Sequence, residues 1–206
     1  MSNAPVIIVL AAGLGSRFSA SRHKLAQPLG TNTVLGQTVG HAIASGFPVV
    51  VVATDVMRAD AARMVAGRDV VLLPAARIGD RPFGMGHSIA AGVAARPEAA
   101  GWLVLPGDMP LVRPMTLVAV AEALALHPVA FAQHHGRRGH PVGFAAELFS
   151  DLVQLSGDEG ARRIVARYPS FGVEVDDPGV LIDVDTQADL AAVQKGMANS
   201  LDRRVT

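Results

Sequence analysis

Short aliphatic runs alternate with helix-like segments over the first two thirds of the sequence. Runs of this kind are typical of strands that are buried on both faces of a sheet. Strands are predicted at Val6–Leu10, Pro48–Ala53, Asp69–Leu73, Gly101–Leu105 and Val129–Ala132. Helices are predicted at Thr33–Ser45, Met57–Ala66, Met85–Ala95, Met115–Leu126 and Asp158–Arg167. The alternation predicts a three-layer, Rossmann-like α/β fold with a mostly parallel sheet flanked by helices.

The pattern is looser after His134, where turn-forming residues are more frequent. The elements predicted there are two turns, two short strands and a last helix, at 137–141, 176–179, Val173–Val175, Leu181–Val184 and Thr186 to about Met197. Half of the 206 residues are hydrophobic, which suits one domain with one large core. We therefore expect a single domain over residues 1–198 and a frayed polar tail over 199–206.

Charge and cysteine content exclude several classes of function. Lysine plus arginine equals aspartate plus glutamate at 18 each, so electrostatics give no reason to expect nucleic acid or a membrane as partner. The sequence has no cysteine, which excludes disulfides, thiolate metal sites and a cysteine nucleophile. It has no secretory signal and no apolar stretch of about 20 residues, so we expect a cytoplasmic protein.

The first predicted strand leads directly into a glycine-rich segment that we interpret as a phosphate loop. Its sequence is Ala11-Ala12-Gly13-Leu14-Gly15-Ser16-Arg17-Phe18, and Lys24 follows shortly after. Small residues let backbone N–H groups approach an anion, and glycine can adopt the positive φ that turns these groups inward. Arg17 and Lys24 add the positive charge that a triphosphate requires.

Two other phosphate-binding motifs fit this loop less well. The dinucleotide-binding motif needs a third glycine, and Phe18 stands at that position. The P-loop motif needs a Gly-Lys-Ser/Thr sequence, which is absent here. A glycine-rich turn that binds no ligand remains the alternative.

Carboxylates follow two of the predicted strands. Asp108 comes three residues after Leu105, and ligands of open α/β sheets lie beyond such strand ends. Asp183 and Asp185 would point to the same face of a strand, and we favour Asp185 as a second metal ligand. A carboxylate pair beside a triphosphate suits Mg²⁺. The alternatives are that Asp108 only shapes a turn and that the later pair caps a helix.

These segments together resemble the MobA-like nucleotidyltransferases, most closely the molybdenum cofactor cytidylyltransferase branch. The opening motif of that family is present as Leu10 to Arg17 with Lys24 beyond it. The resemblance continues, in order, through Gly84–Ser88, Asp108–Leu111, Gly139–Val142, Gly157–Arg162 and Asp183–Leu190. It implies the fold of the nucleotide-diphospho-sugar transferases.

The resemblance also implies roles for individual residues. Arg17, Lys24 and Asp108 would act in catalysis, and Asp108 and Asp185 would hold Mg²⁺. The nucleotide would be bound by Leu10, Ala11, Ala12, Gly13, Gly15, Ser16, Arg17, Lys24, Gly84, Met85, Gly86 and Ser88. The acceptor side would be formed by His140, Pro141, Val142, Phe144 and Arg162. From the residues alone, His134, His135 and His140 are expected in a solvated loop rather than in a metal cluster.

The function implied is transfer of CMP from CTP to a molybdopterin-type acceptor, with release of pyrophosphate. A molybdoenzyme maturation protein would be a fitting partner for such an enzyme. Two alternatives stay open at this point. One is a nucleotidyltransferase of the same fold that uses GTP, or a sugar phosphate or polyol phosphate acceptor. The other is a non-catalytic protein that binds a nucleotide or a cofactor.

Overall fold

A twisted sheet between two layers of helices forms the protein. A computed structural model describes residues 4–13, 15, 18, 22–74 and 84–202. Within them the strands are β1 (Val6–Ala11), β2 (Pro28–Leu29), β3 (Asn32–Thr33), β4 (Val49–Ala53), β5 (Val70–Leu72), β6 (Gly101–Pro106), β7 (Val129–His134), β8 (Arg137–Ala145) and β9 (Ser170–Glu174). The helices are α1 (Val34–Ala44), α2 (Asp55–Met64), α3 (Met85–Ala94), α4 (Pro114–Ala123), α5 (Phe149–Leu152), α6 (Arg162–Arg167) and α7 (Gln187–Asp202). Short 3-10 turns lie at Lys24–Ala26, Gly67–Asp69, Ala146–Leu148 and Pro178–Leu181.

The described strands form a seven-stranded sheet in the order β5-β4-β1-β6-β8-β7-β9, and β2 and β3 form a separate small hairpin. All pairings in the large sheet are parallel except those of β8, which runs antiparallel to β6 and β7. The predicted α/β fold with a mostly parallel sheet is therefore confirmed. The chain builds outward from β1 on one side and then on the other, so β1 and β6 flank the point where the strand order reverses.

Each face of the sheet carries its own apolar core. Alternate residues of β1 point to opposite faces, so Ile7 and Val9 pack with α1, α2, α4 and α7, and Ile8 packs with α3, α5 and α6. The core side chains are mostly valine, leucine, isoleucine and alanine, and Trp102 is the largest of them. Helix α1 begins where it is predicted, since the Thr33 hydroxyl accepts a hydrogen bond from the Gly36 N–H.

Two predicted elements of the second half are wrong. Residues 137–141 start strand β8 instead of forming a turn, because the turn lies at His135 and Gly136, whose φ angles are 50° and 71°. Positive φ at both central residues is what a two-residue hairpin turn requires. Leu181–Val184 is not a strand, because Pro178–Leu181 forms a 3-10 turn in which the Asp177 carboxylate accepts a hydrogen bond from the Gly179 N–H.

Two helix boundaries differ from the prediction by four residues or more. Helix α6 begins at Arg162 rather than Asp158, because Gly157 and Gly160 have φ angles of 70° and 60°, which no α-helix accepts. Helix α7 continues to Asp202, past the expected end near Met197 and across the predicted domain boundary at residue 198. Residues 198–202 contain no glycine or proline to end it. None of the helices in the described part of the chain is both long and apolar enough to cross a membrane.

Candidate active site

A cleft of about 650 Å³ opens at the carboxyl ends of β1 and β6, where the strand order reverses. Most of the predicted site residues that the structure describes line this cleft: Leu10, Ala12, Gly13, Gly15, Lys24, Gly84, Met85, Ser88, Asp108, His140 and Asp185. Ser16 and Arg17 lie outside the described residues. The sequence motifs, which are up to 175 positions apart when counted from Leu10 to Asp185, thus meet at one edge of the sheet.

Lys24 binds two aspartates at the base of the cleft. Its Nζ atom donates to Asp108 Oδ2 at 2.6 Å and to Asp185 Oδ1 at 2.7 Å. The three side chains are only 11%, 18% and 17% exposed, so water screens these ion pairs weakly. Burial lowers the pKa of Lys24, but Asp108 and Asp185 together outweigh it and raise this pKa above its usual 10.5. The lysine is therefore a permanent cation.

Backbone contacts fix the two carboxylates relative to the strands. Beyond β6, the Gly107 N–H donates to the Leu10 carbonyl at 2.9 Å, which ties the loop that carries Asp108 to the end of β1. The Val184 N–H donates to the carbonyl of Asp108 itself, also at 2.9 Å. Asp185 and Asp108 are thus brought together by one hydrogen bond between two loops, and no strand pairing is needed.

His23 connects Lys24 to the glycine-rich segment. Its Nδ1 accepts a hydrogen bond from the Leu25 N–H, so the proton resides on Nε2, which donates to the Gly13 carbonyl at 2.9 Å. Gly15 has a φ of 62°, and a Cβ there would lie 3.3 Å from both His23 and Lys24. Gly15 thus lies closely against the base of Lys24, at a position that requires glycine.

Gly84 and Gly86 serve packing at the start of α3. A Cβ on Gly84 would lie 2.2 Å from the Gly157 carbonyl oxygen, and one on Gly86 would lie 2.6 Å from that of Ser156. The Gly86 N–H also donates to the Gly157 carbonyl at 2.9 Å, so it is already occupied by protein. Gly86 does not line the cleft. Ala11 does not line the cleft either, because its side chain is in the core. At Gly86, the lack of a side chain admits the segment of Ser156 rather than a ligand.

His140 lies on β8 beside Asp108, and not in a solvated loop as expected. The Nδ1 atom of its ring is buried, with no hydrogen-bond partner among the described residues. Burial lowers the pKa of His140 below its usual value of 6.5, and Arg138 acts in the same direction. Asp108 and a hydrogen bond to the Val104 backbone oppose this shift without cancelling it. The imidazole is therefore neutral at pH 7, and an unused acceptor atom lies at the cleft.

The lowered pKa of His140 predicts a pH dependence of stability. The unfolded chain binds the extra proton near pH 6.5, before the folded chain does, so the free energy of unfolding falls as the pH drops below about 6.5. Chemical denaturation of the wild type and of His140→Gln between pH 7.5 and 5.5 measures this. The substituted protein should lose less stability over that range, and equal losses would contradict the assignment.

The other predicted acceptor residues do not line the cleft. Strand β8 runs from the cleft into the core, so successive residues move away from the site by about 3.3 Å each. Phe144 is 1% exposed and pairs with Trp102 in the core, and Val142 is buried in the same cluster. Pro141 is buried behind His140, to which it is joined by a cis peptide bond. Arg162 is exposed at the start of α6 and away from the cleft.

Arg138 is a cleft residue that the sequence interpretation missed. Its guanidinium lies 4.4 Å from the ring centroid of Phe131, and partial desolvation lowers the pKa of Arg138 from its usual value. In the described part of the chain it has no carboxylate within ion-pair distance. Arg138 and His140 both line the cleft from the start of β8. Interpreting 137–141 as a strand that begins at the cleft would have drawn attention to Arg138. Asp158 and Asp183 also line the cleft.

Residues 7–171 match the MobA-like NTP transferase domain. The chain belongs to this family. It is 32% identical to a phosphoenolpyruvate guanylyltransferase from Mycolicibacterium gilvum over 187 residues, which are 85% of this chain and 84% of that protein. It is 29% identical to the bifunctional protein GlmU from Corynebacterium aurimucosum over 191 residues, 87% of this chain. The chain spans 39% of that GlmU and 60% of the purine catabolism protein PucB from Bacillus subtilis.

Solved structures share the fold over nearly the whole chain. Rv0371c from Mycobacterium tuberculosis superposes with a TM-score of 0.80 at 29% identity, covering 95% of this chain and all of that one. Its complex with manganese gives a TM-score of 0.76 at 28% identity, covering 93% and 98%. Molybdopterin-guanine dinucleotide biosynthesis protein A from Archaeoglobus fulgidus has a TM-score of 0.69 at 17% identity, covering 94% and 99%, and is similar in fold alone.

Proposed function

We propose that this protein transfers a nucleotidyl group from a nucleoside triphosphate to a phosphate-bearing acceptor and releases pyrophosphate. The observation that carries the proposal is the Lys24–Asp108–Asp185 cluster at the strand-order reversal, beside the glycine-rich loop. The lysine suits a polyphosphate, since the glycine-rich backbone beside it lets an anion approach closely. The two carboxylates suit a divalent ion. Family membership supports the same reaction class.

The triphosphate would lie against Gly13 and Gly15, with Lys24 as its cation. The φ of 62° at Gly15, and the lack of a side chain on Gly13 and Gly15 themselves, favour the approach of an anion to the backbone here. Arg17 is proposed as a second cation, on the strength of its position in the motif. Lysine and arginine counter charge on the triphosphate and on the pyrophosphate that leaves.

Asp108 and Asp185 fit a divalent metal ion. Asp108 Oδ1 is buried and lacks a hydrogen-bond partner among the described residues, so it is an oxygen available to a cation. Among the described residues no group of three histidine, aspartate or glutamate side chains could bind an ion, so phosphates and water would complete the coordination, as is usual for Mg²⁺. Such an ion would neutralise negative charge on the phosphates. The existence of a manganese complex of Rv0371c, which is 28% identical to this chain, supports the use of a divalent ion.

The chemistry needs positioning and charge compensation rather than a covalent nucleophile. An acceptor phosphate oxygen forms a bond to the α-phosphorus, and the bond from that phosphorus to the β-phosphate oxygen breaks. No general base is required, because a phosphate acceptor is already ionised at pH 7. His140, neutral at pH 7, is therefore given no proton-transfer role in this reaction.

Arg138 is proposed to bind the anionic group of the acceptor. A guanidinium that lines the cleft and has no carboxylate partner among the described residues gains most from a planar, bidentate anion such as phosphate. His140, which also lines the cleft from β8, would accept a hydrogen bond from a neighbouring O–H or N–H group. The acceptor would thus be a phosphorylated compound that carries a hydrogen-bond donor close to its phosphate.

Replacing Arg138 with glutamine should raise the KM for the acceptor at least ~10-fold, about 1.4 kcal/mol of binding free energy, and leave the KM for the nucleotide nearly unchanged. The control is Arg167→Gln, which removes another arginine that lies over an aromatic ring but sits on the surface at 71% exposure. Steady-state pyrophosphate release measures both constants. Equal changes in the two KM values would contradict the assignment of Arg138 to the acceptor subsite.

We propose CTP as the donor and a molybdopterin-type compound as the acceptor, from the motifs Gly139–Val142 and Gly157–Arg162. The second candidate is a GTP-dependent enzyme with a small phosphorylated acceptor, which the guanylyltransferase relative favours. Thermal shifts with each of the four nucleoside triphosphates and Mg²⁺ discriminate between them, followed by pyrophosphate release with each acceptor class. The largest shift is expected with CTP. Binding without release for every acceptor would indicate a non-catalytic protein.

A further inference from the structure

Lys24 occupies the place between the two aspartates that the proposed metal ion would need. We propose that Lys24 is the resident cation of this site and must leave Asp108 and Asp185 for the triphosphate before a divalent ion binds there tightly. This inference rests on the proposed function, and it concerns the order in which the nucleotide and the metal bind.

The contacts of Lys24 with the two aspartates compete with its proposed role as the cation of the triphosphate. Two of the three N–H donors of its ammonium group already bond Asp108 Oδ2 and Asp185 Oδ1. The same side chain is the cation proposed for the triphosphate. A divalent ion on these two oxygens would lie within a few ångströms of the ammonium group. The two positive charges would repel each other strongly, because the side chains are largely shielded from water.

Movement of Lys24 onto the triphosphate would remove this conflict in one step. The ammonium group would follow the phosphate charge, and Lys24 would no longer neutralise the two carboxylates, which would favour a divalent ion there. The nucleotide and the metal would then bind cooperatively, because each favours the state in which Lys24 has left the aspartates. Coupling of this kind is reciprocal, so the metal would also strengthen nucleotide binding.

A competing arrangement keeps the ion pair intact. Asp108 Oδ1 is buried and without a partner among the described residues, so an ion could bind there while Lys24 stays on Oδ2. In that arrangement Lys24 would help to orient Asp108 for the metal, and removing the lysine would weaken metal binding. The two arrangements therefore predict opposite effects of the same substitution.

Manganese binding to Lys24→Gln distinguishes them. Free Mn²⁺ is measured by electron paramagnetic resonance while the protein is titrated without nucleotide or phosphate. We expect Lys24→Gln to bind Mn²⁺ at least ~10-fold more tightly than the wild type, and Asp108→Asn in the Lys24→Gln background to abolish the gain. Unchanged or weaker binding by Lys24→Gln overturns the proposal. The control is Lys195→Gln, because Lys195 is exposed on α7 and is the other lysine of the sequence.

A second measurement uses the wild type and does not depend on the folding of a variant. With two lysines in the sequence, acylation by a small amine-selective reagent, followed by peptide mass spectrometry, reports on Lys24 with Lys195 as an internal reference. The ratio of the Lys24 rate to the Lys195 rate should be low without ligand and rise at least ~5-fold as Mn²⁺ binds. If electron paramagnetic resonance shows that Mn²⁺ is bound but the ratio of the two rates stays constant, Lys24 has not moved and the proposal is overturned.

Neither measurement involves turnover or a nucleotide. A negative result would therefore reject the exchange of Lys24 and leave nucleotidyl transfer itself to be judged by pyrophosphate release. Conversely, a protein that releases no pyrophosphate could still show the exchange.

Discussion

Asp108→Asn is expected to lower the rate of pyrophosphate release by at least ~100-fold, equivalent to roughly 2.7 kcal/mol of activation free energy. Asparagine keeps the shape of the side chain, so the Gly107–Leu10 and Val184–Asp108 backbone hydrogen bonds can persist. The substitution removes the negative charge that pairs with Lys24 and one of the two carboxylates proposed for the metal ion. An amide oxygen is a much weaker ligand for a hard divalent cation.

The rate is measured with Mg²⁺, CTP and a molybdopterin-type acceptor, after circular dichroism has shown that the variant is folded. Asp176→Asn is the control, because Asp176 is an exposed aspartate that does not line the cleft. It should retain the wild-type rate. Near-normal turnover by the Asp108 variant would contradict a catalytic role for this residue.

Gly139→Ala is expected to destabilise the fold by at least ~3 kcal/mol. A Cβ on Gly139 would lie 2.1 Å from the Val180 carbonyl oxygen, a backbone atom that cannot move without the whole 3-10 turn. This close approach brings the start of β8 against the segment that leads to Asp185. The substitution would therefore separate the two walls of the cleft as well as lower the free energy of unfolding.

Urea denaturation measures the loss, and Gly40→Ala provides the matched control. Gly40 is exposed in α1, and its Cβ would have nothing within 4 Å. Alanine there should stabilise the protein by about 0.5–1 kcal/mol, because it lowers the entropy cost of forming the helix. If the two substitutions changed stability equally, contact with Val180 would not be the reason for glycine at position 139.

The core of the fold could be predicted because its physical cause is local. Strands β1, β4 and β6 are buried on both faces, so each is a continuous aliphatic run. The start of β8 could not be predicted in this way. One face of it forms the wall of a polar cleft, so arginine, glycine and histidine replace the apolar residues, and the segment resembles a turn.

The candidate site could be predicted in part. The glycine-rich loop, Lys24 and Asp108 stand in recognisable order, and the strand-end rule for open sheets brings them together. The ion pairs of Lys24 join residues 84 and 161 positions apart, and nothing in the sequence indicates that the lysine binds both carboxylates. The segment of Asp185 is held by one backbone hydrogen bond to Asp108 rather than by strand pairing, which a hydrophobic pattern cannot reveal.

Nucleotidyl transfer at the Lys24–Asp108–Asp185 cluster can be followed through the α-phosphate of the donor. The protein is incubated with Mg²⁺, a molybdopterin-type acceptor and CTP labelled at its α-phosphate. We expect the label to move into the acceptor and one pyrophosphate to form for each CMP transferred. Label that stays in bound CTP, with this acceptor and with sugar phosphate and polyol phosphate acceptors, would contradict nucleotidyl transfer at this cluster.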